Sequence, residues 1–337
     1  MRMRTTAILA ALFAMALWAA PAEAKLVYVK QAGSANPVVY VATDRGKDPR
    51  RLGIGRAPTI SPNGQWVAFV TVPSGGAEME TVVLQKLQAG SRRLVMRSKT
   101  IDSLRFSPDS TKLAAVAAGK RVRVYDVTGD ALHVAAAGEL RGYSFSPDGK
   151  QIVYGRAVKD EFTSDSDLYV VPALGGEETR LTTVKNAVNP VWGPKEIVFD
   201  RFAARRDDAP AYNLWALNPL APDQLRRLTQ LKIPPLVSGL VPLEISSDSR
   251  RMLAVFTGQD VEVGFTVATA DGRTRALSTD FEHGTVGFDL SRDGEKILAH
   301  TGGWDPGAAH DVVTVPYSRG GKTKVIVEDA AYPDWTR

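Results

Sequence analysis

The feature that most constrains this chain is a short turn motif that recurs between apolar segments at nearly regular intervals. The motif reads SPNG at 61–64, SPDS at 107–110, SPDG at 146–149, GPK at 193–195, SSDS at 246–249, SRDG at 291–294 and WTR at 335–337. In such a turn Pro presets φ at the first corner, Asp bonds to nearby backbone, and Gly accepts a positive φ. Each motif therefore predicts a tight connection between two antiparallel strands.

Each of the first six motifs is followed by an apolar run and then by two more apolar segments that flank a short turn. LYVVPALGGEETRLTT, from Leu168 to Thr183, is one example of this second half. The steps between motifs range from 39 residues, between 107 and 146, to 53 residues, between 193 and 246. Four strands in a repeat of about 40–50 residues are typical of propeller blades. The sequence predicts an all-β fold, a seven-bladed β-propeller of four-stranded antiparallel blades.

The two ends of the chain are incomplete in complementary ways. The segment KLVYV, which begins at Lys25, has no first strand before it, and the last motif, YPDWTR, has no second strand after it. We predict that the N- and C-terminal segments pair within one blade and close the ring. Such closure leaves no open strand edge and holds both ends of the chain.

The turn motifs, together with the RRLT ending at Arg226–Thr229 and the RLT ending at Arg180–Thr182, resemble the TolB-type, WD-like β-propeller repeat family. The resemblance covers residues 25–337. TolB itself has six blades and an N-terminal α/β domain, whereas the seven units here follow the leader directly. The resemblance implies an exported propeller that lacks the TolB N-terminal domain.

Residues 1–24 have the parts of a secretory signal peptide. Arg2 and Arg4 form a positive start, an apolar run of 14 residues follows, and an A-x-A site ends at Ala24. The run is shorter than the ~20 residues that a membrane span needs. We expect cleavage after Ala24, a single propeller domain over 25–337, no transmembrane segment after signal removal, and a periplasmic or secreted location.

Charge and cysteine content exclude several classes of protein. The chain has no Cys, so it folds without disulfides. Its formal net charge is +5, and many Arg residues fall on predicted fourth strands, where charge discourages edge-to-edge pairing. A nucleic-acid surface would instead gather basic residues with aromatic side chains on one face. We therefore expect no nucleic-acid partner.

Loop lengths indicate which end of the propeller binds. The short first-to-second and third-to-fourth turns emerge at one end, and the longer second-to-third loops and blade links emerge at the other, which we call the long-loop face. Long loops on a rigid scaffold commonly carry binding residues. The candidate binding residues on this face are Asp160, Glu161, Asp165, Arg201, Arg205, Arg206, Trp304 and Asp305.

Two sets of residues on this face are of types that bind metal ions, although neither has the ligand spacing of a known metal-binding motif. The acidic loop that contains Asp165 lacks the ordered ligands of a calcium loop, which favours a solvated face with salt bridges. His283 and His310 are candidate metal ligands because carboxylates lie near both in the sequence. His133 and His300 lie within apolar strands, and we interpret them as packing residues.

The chain has no GxSxG elbow, no Cys nucleophile, no HExxH and no phosphate-binding loop motif. We predict a noncatalytic scaffold, without a cofactor, that binds a protein or a cell-envelope component through the long-loop face. Two alternatives stay open. One is a metal-assisted lyase or hydrolase for a saccharide or lactone, with a divalent metal at His283 and His310. The other is a sensor with a small ligand in the central channel.

Overall fold

The computed structural model describes residues 24–71, 73, 78–158, 165–203, 211–231, 239–258, 261–278, 284–291, 293–303 and 309–336. All regular secondary structure within these ranges is β-strand. The described residues include no helix long and apolar enough to span a membrane.

The strands follow one another in groups of four after the first three. The first groups are β1 (Lys25–Lys30), β2 (Val38–Thr43) and β3 (Arg50–Ile54); β4 (Arg56–Ile60), β5 (Trp66–Val70), β6 (Glu80–Lys86) and β7 (Arg92–Ser98); β8 (Ile101–Phe106), β9 (Lys112–Ala117), β10 (Arg121–Asp126) and β11 (Ala131–Ala137). The next are β12 (Leu140–Phe145), β13 (Gln151–Ala157), β14 (Ser166–Pro172) and β15 (Thr179–Arg180); β16 (Ala187–Trp192), β17 (Ile197–Ala203), β18 (Ala211–Asn218) and β19 (Ala221–Arg227). The last are β20 (Gly239–Ile245), β21 (Arg251–Gly258), β22 (Val261–Ala268) and β23 (Thr274–Ala276); β24 (Val286–Leu290), β25 (Lys296–His300), β26 (Val312–Pro316) and β27 (Lys324–Val327); and β28 (Ala330–Trp335).

Within the described ranges these strands form five four-stranded sheets and one eight-stranded sheet, which we divide into units of four strands. Unit 1 has the order β28-β1-β2-β3, and units 2 to 7 are β4–β7, β8–β11, β12–β15, β16–β19, β20–β23 and β24–β27. Units 5 and 6 are joined by a single parallel bridge between Tyr212 and Gly239. The predicted all-β architecture of four-stranded antiparallel sheets is confirmed.

The two ends of the chain meet in unit 1. Strand β28 pairs antiparallel with β1, with Leu26 opposite Trp335. The backbone N–H of Lys25 donates to Thr336 Oγ1 at 2.9 Å, and the N–H of Thr336 donates to the Lys25 carbonyl at 2.9 Å. This pairing agrees with the predicted closure. The count of seven blades around a closed ring remains a prediction of the sequence.

The hydrophobic core lies between neighbouring units. Val70 and Leu84 of unit 2, for example, pack in one cluster with Leu113 and Tyr125 of unit 3. Each unit buries apolar side chains from both faces of its sheet, which explains why the second strands read as continuous apolar runs rather than as alternating ones.

The recurring turn is held by one hydrogen-bond pattern. At 146–149, Ser146 Oγ donates to Asp148 Oδ1 at 2.6 Å and accepts from the Gln151 N–H at 2.9 Å. Asp148 Oδ1 also accepts from the Lys150 N–H at 3.1 Å. The Ser146 hydrogen bond lowers the pKa of Asp148, so the carboxylate stays ionised. The same pattern recurs at Ser107, Ser246 and Ser291. The motif residues therefore stabilise the turns.

The RLT ending fixes the start of the third strand in unit 4. Thr182 Oγ1 donates to Asp167 Oδ1 at 2.8 Å and accepts from the Leu168 N–H at 2.9 Å. Arg180 Nη2 lies 2.5 Å from Asp167 Oδ2. Asp167 is completely buried, and a buried carboxyl group is destabilising unless it has such hydrogen-bond partners.

Unit 5 contains a neutral version of the same arrangement. Thr229 Oγ1 donates to Asn213 Oδ1 at 3.0 Å and accepts from the Leu214 N–H at 2.9 Å. The two units thus offer a comparable pair, with a charged acceptor in unit 4 and a neutral one in unit 5.

We expect Thr182→Val to lower the free energy of unfolding by about 2 kcal/mol, because it removes a donor from a buried carboxylate. Thr229→Val removes the equivalent donor from a neutral amide, and the expected loss is about 1 kcal/mol. Urea unfolding followed by circular dichroism measures both. Equal losses in the two variants would show that the charge of Asp167 does not matter.

Candidate functional site

A cavity of about 470 Å³ is lined by residues from the first strand of every unit. Each first strand contributes residues near its C-terminal end, at 58–60, 104–106, 144–145, 191–192, 244–245, 288–289 and 333–335. Pro62 and Pro108 of the turn motifs also line it, so the cavity lies towards the short-turn end. A β-bulge precedes these residues in every first strand. Bulges redirect the side chains that follow them.

The polar side chains of this cavity tie neighbouring units together. Asp334 Oδ2 of unit 1 accepts from the Ile60 N–H of unit 2 at 2.9 Å. Glu244 Oε2 of unit 6 accepts from the Leu290 N–H of unit 7 at 3.1 Å. Trp335 is 9% exposed, and its indole Nε1 donates to the Leu290 carbonyl at 3.3 Å. This tryptophan therefore packs in the core between units 1 and 7.

Towards the long-loop face, one position of the second strand differs between units. In unit 2, Thr59 of the first strand pairs with a residue of the second strand, and the position lies two residues after that partner. The position in each other unit is defined in the same way, from the first-strand residue equivalent to Thr59. From unit 1 to unit 7 its occupants are Val29, Val70, Val116, Gly155, Asp200, Val255 and His300, all of them buried. Four units thus place Val here, one places Gly, and two place an ionisable side chain.

Asp200 is 2% exposed. Its Oδ2 accepts from Asn189 Nδ2 at 3.3 Å, and Asn189 has a positive φ of 48° in the bulge of β16. Within the described residues its other oxygen, Oδ1, has no hydrogen-bond partner. Burial raises the pKa of Asp200 well above its usual range, so this carboxyl group favours its neutral form.

His300 is 1% exposed, and its Nδ1 has no hydrogen-bond partner within the part of the chain that the structure describes. Its ring centre lies 4.8 Å from that of Phe288, 4.9 Å from that of His310 and 5.3 Å from that of Tyr332. Burial, with a smaller contribution from His310, lowers the pKa of His300 to about 3. His300 is therefore neutral at physiological pH.

His310 is 7% exposed, and its orientation is fixed by its own strand connection. Its Nδ1 lies 2.7 Å from the Thr301 carbonyl oxygen. A carbonyl oxygen can only accept, so Nδ1 carries the hydrogen and Nε2 keeps a lone pair. His310 also lines a surface cavity of about 580 Å³ that includes Lys30, Ser34 and Asp329.

Two further predicted residues have structural partners. Arg201 Nε donates to Asn186 Oδ1 at 2.7 Å, and its guanidinium lies 4.7 Å from the centre of the Trp215 ring. Burial lowers the pKa of Arg201. The Asp165 carbonyl accepts from the Val158 N–H at 2.8 Å. Arg201 is thus a half-buried, stacked side chain, whereas the sequence predicted a loop charge.

Three of the predicted residues lie in the described ranges, and the structure does not join these three into one group. No hydrogen bond or ion pair among the described residues joins Asp165, Arg201 and His310 to one another. In the same ranges, no three His, Asp or Glu side chains are arranged to hold a metal ion. The remaining predicted residues lie outside the described ranges: Asp160, Glu161, Arg205, Arg206, His283, Trp304 and Asp305.

Sequence reasoning missed Asp200 and treated His300 as a packing residue. Both lie in apolar strands, where a polar residue is normally satisfied by local packing. The signal that could have found them is the repeat itself, because aligning the second strands shows Val or Gly at the same position of the other units.

No protein-family profile and no curated protein matches this sequence. Solved structures do match. TolB from Acinetobacter baumannii is 14% identical with a TM-score of 0.55, and the alignment covers 93% of this chain and 66% of that chain. The fold is that of TolB-type β-propellers.

Two other solved structures show how widely this TolB-type fold is used. The β-propeller domain of the Trilobed protease from Pyrococcus furiosus is 14% identical with a TM-score of 0.65, over 91% of this chain and 95% of that chain. An oligogalacturonate lyase in complex with manganese is 14% identical with a TM-score of 0.59, over 91% of this chain and 86% of that chain. At such identities the likeness establishes the fold alone.

Proposed function

We propose that this TolB-type propeller is an exported, noncatalytic scaffold that binds a protein or a cell-envelope component through its long-loop face. The observation that carries the proposal is the pair Asp200 and His300. A buried polar atom without a partner destabilises a protein by about 1–3 kcal/mol. Val fills the same position in four other units, so packing does not require either residue. Residues that depart from the repeat pattern at a cost in stability are typical of functional sites.

The TolB-type fold supports a scaffold in a second way. Packed strands hold the two ends of each long loop at fixed separations, so little ordering entropy is lost when a partner docks. The opposite charges predicted on this face, Asp160, Glu161, Asp165 and Asp305 against Arg201, Arg205 and Arg206, with Trp304, would orient a partner during encounter. The signal peptide predicted over residues 1–24 places the interaction in the periplasm or outside the cell.

Site-specific photo-crosslinking in intact cells tests this proposal. One crosslinking residue replaces Tyr332, which is 40% exposed and contacts His300. The control replaces Lys150, which is exposed beside the turn at 146–149 on the opposite end. We expect position 332 to capture a reproducible partner and position 150 to capture none. The same partner at both positions, or at position 150 alone, would contradict the assignment of the face.

Substitutions then connect the captured partner to the predicted loop residues. We expect Arg205→Gln with Arg206→Gln, and separately Trp304→Ala, to reduce capture from position 332 several-fold. Arg273→Gln serves as the matched charge control, because among the described residues Arg273 forms an ion pair with Asp271 alone, in the turn between β22 and β23 at the short-turn end. Undiminished capture in both loop variants would exclude these residues as contacts.

A further inference from the structure

Two histidine rings lie against each other near the long-loop face, and we propose that His300 and His310 bind a divalent transition-metal ion such as Zn²⁺. Imidazole nitrogens are preferred ligands for this class of ion. The two residues are ten positions apart in sequence: His300 ends β25, and His310 lies in the connection that leads to β26. The site does not coincide with the pairing of His283 and His310 that the sequence predicts.

The first argument is the unpartnered nitrogen of His300. Nδ1 of this ring is buried and lacks a hydrogen-bond partner among the described residues. A nitrogen that faces neither water nor a donor is destabilising unless a ligand occupies it.

The second argument is the orientation of His310. Metal-binding histidines commonly donate their second ring N–H to a backbone carbonyl, which fixes the tautomer and the direction of the ligating nitrogen. His310 has this arrangement, with Nδ1 at 2.7 Å from the Thr301 carbonyl oxygen. Its Nε2 is left with the lone pair that an ion would use.

The third argument is the spacing of the two rings. Imidazoles that bind one tetrahedral ion at ~2.0–2.1 Å have ring centres roughly 5 Å apart. The centres of His300 and His310 are 4.9 Å apart, with a tilt of 31° between the planes. The two rings can therefore share an ion without a large change in the backbone.

Access and the remaining ligands follow from the neighbouring cavity. His310 lines the cavity of about 580 Å³ that also contains Ser34 and Asp329. A cavity of this size admits a hydrated ion, and water completes the coordination at the positions that the two histidines leave open.

Titration of the untagged protein with Zn²⁺, by calorimetry, and with Co²⁺, by visible absorption, tests the proposal. We expect one ion per chain and a Co²⁺ spectrum of nitrogen ligation. His300→Val and His310→Gln should each weaken binding at least tenfold. His300→Val introduces the residue that four other units carry at this position, so the variant is expected to fold. His133→Gln, on the outer strand β11, is the control and should bind as the wild type does.

Three results would overturn the site. The first is the absence of Zn²⁺ and Co²⁺ binding by folded wild-type protein up to millimolar concentrations. The second is unchanged affinity in His300→Val or in His310→Gln. The third is loss of binding in His283→Gln with retention in His300→Val, which would restore the pairing that the sequence predicts.

Discussion

A chain that stops before Ala330 is expected to lose cooperative folding. Strand β28 covers one edge of β1, and its removal exposes the backbone of that strand to water and to other chains. The truncation also removes Trp335 from the cluster that contains Leu26 and Leu298, and it removes the Asp334 carboxylate that binds the Ile60 N–H.

A single substitution tests the same interface with a smaller change to the protein. We expect Trp335→Ala to lower the free energy of unfolding by about 3–5 kcal/mol.

Urea unfolding followed by circular dichroism, together with size-exclusion chromatography, measures these changes. Tyr332→Ala is the matched control, because Tyr332 lies on the same strand but is 40% exposed, and its loss should be far smaller. A truncated chain that unfolds in one transition at the wild-type midpoint would show that β28 does not hold the first unit.

Asp200→Val is expected to raise the free energy of unfolding by about 1–3 kcal/mol at neutral pH, because it removes a buried carboxyl group with an unpartnered oxygen. The gain should depend on pH. Burial raises the folded pKa of Asp200, so its protonated form contributes stability that is fully present below the unfolded pKa of about 3.9. That contribution is lost as the pH rises through the folded pKa. The advantage of the valine variant should therefore grow as the pH rises above about 4.

Denaturant unfolding at a series of pH values from 4 to 8 measures this difference. Asp200→Asn separates charge from shape, since it keeps a hydrogen-bonding group but cannot titrate. Its stability relative to Asp200→Val should not vary with pH. If the wild type and Asp200→Val differ by the same amount at every pH, Asp200 does not titrate as its burial implies. Asp200→Val should also weaken partner capture from position 332 if this position belongs to the binding face.

The strand architecture was accessible from the sequence because its signals are local. Each turn motif has its Pro, Asp or Gly within four residues, and the pairing of β1 with β28 followed from two incomplete repeats. The RLT ending was recognised as a motif, but its partner was not. Thr182 reaches Asp167 across a sheet, and only the fold brings them together.

The candidate site was less accessible because it depends on contacts between units. The ring of His300 meets His310 across a strand connection and Tyr332 of another unit, and neither distance can be read from spacing in the sequence. Arg201 illustrates the opposite error. It was predicted as a loop charge, yet the extended strand β17 carries it onto Trp215, where burial rather than exposure governs its behaviour.

The pairing of β1 with β28 also has a consequence for the order of assembly. A polypeptide emerges from its N-terminus, so the second, third and fourth strands of unit 1 are synthesised long before the strand that completes their sheet. Throughout that interval one edge of β1 has no neighbour, and an unpaired strand edge is open to pairing with foreign strands. The same proximity makes the position of the chain ends arbitrary. A circular permutant that joins Thr336 to Lys25 by a short linker and opens the turn at 146–149 would complete unit 1 early and leave a different unit to finish last.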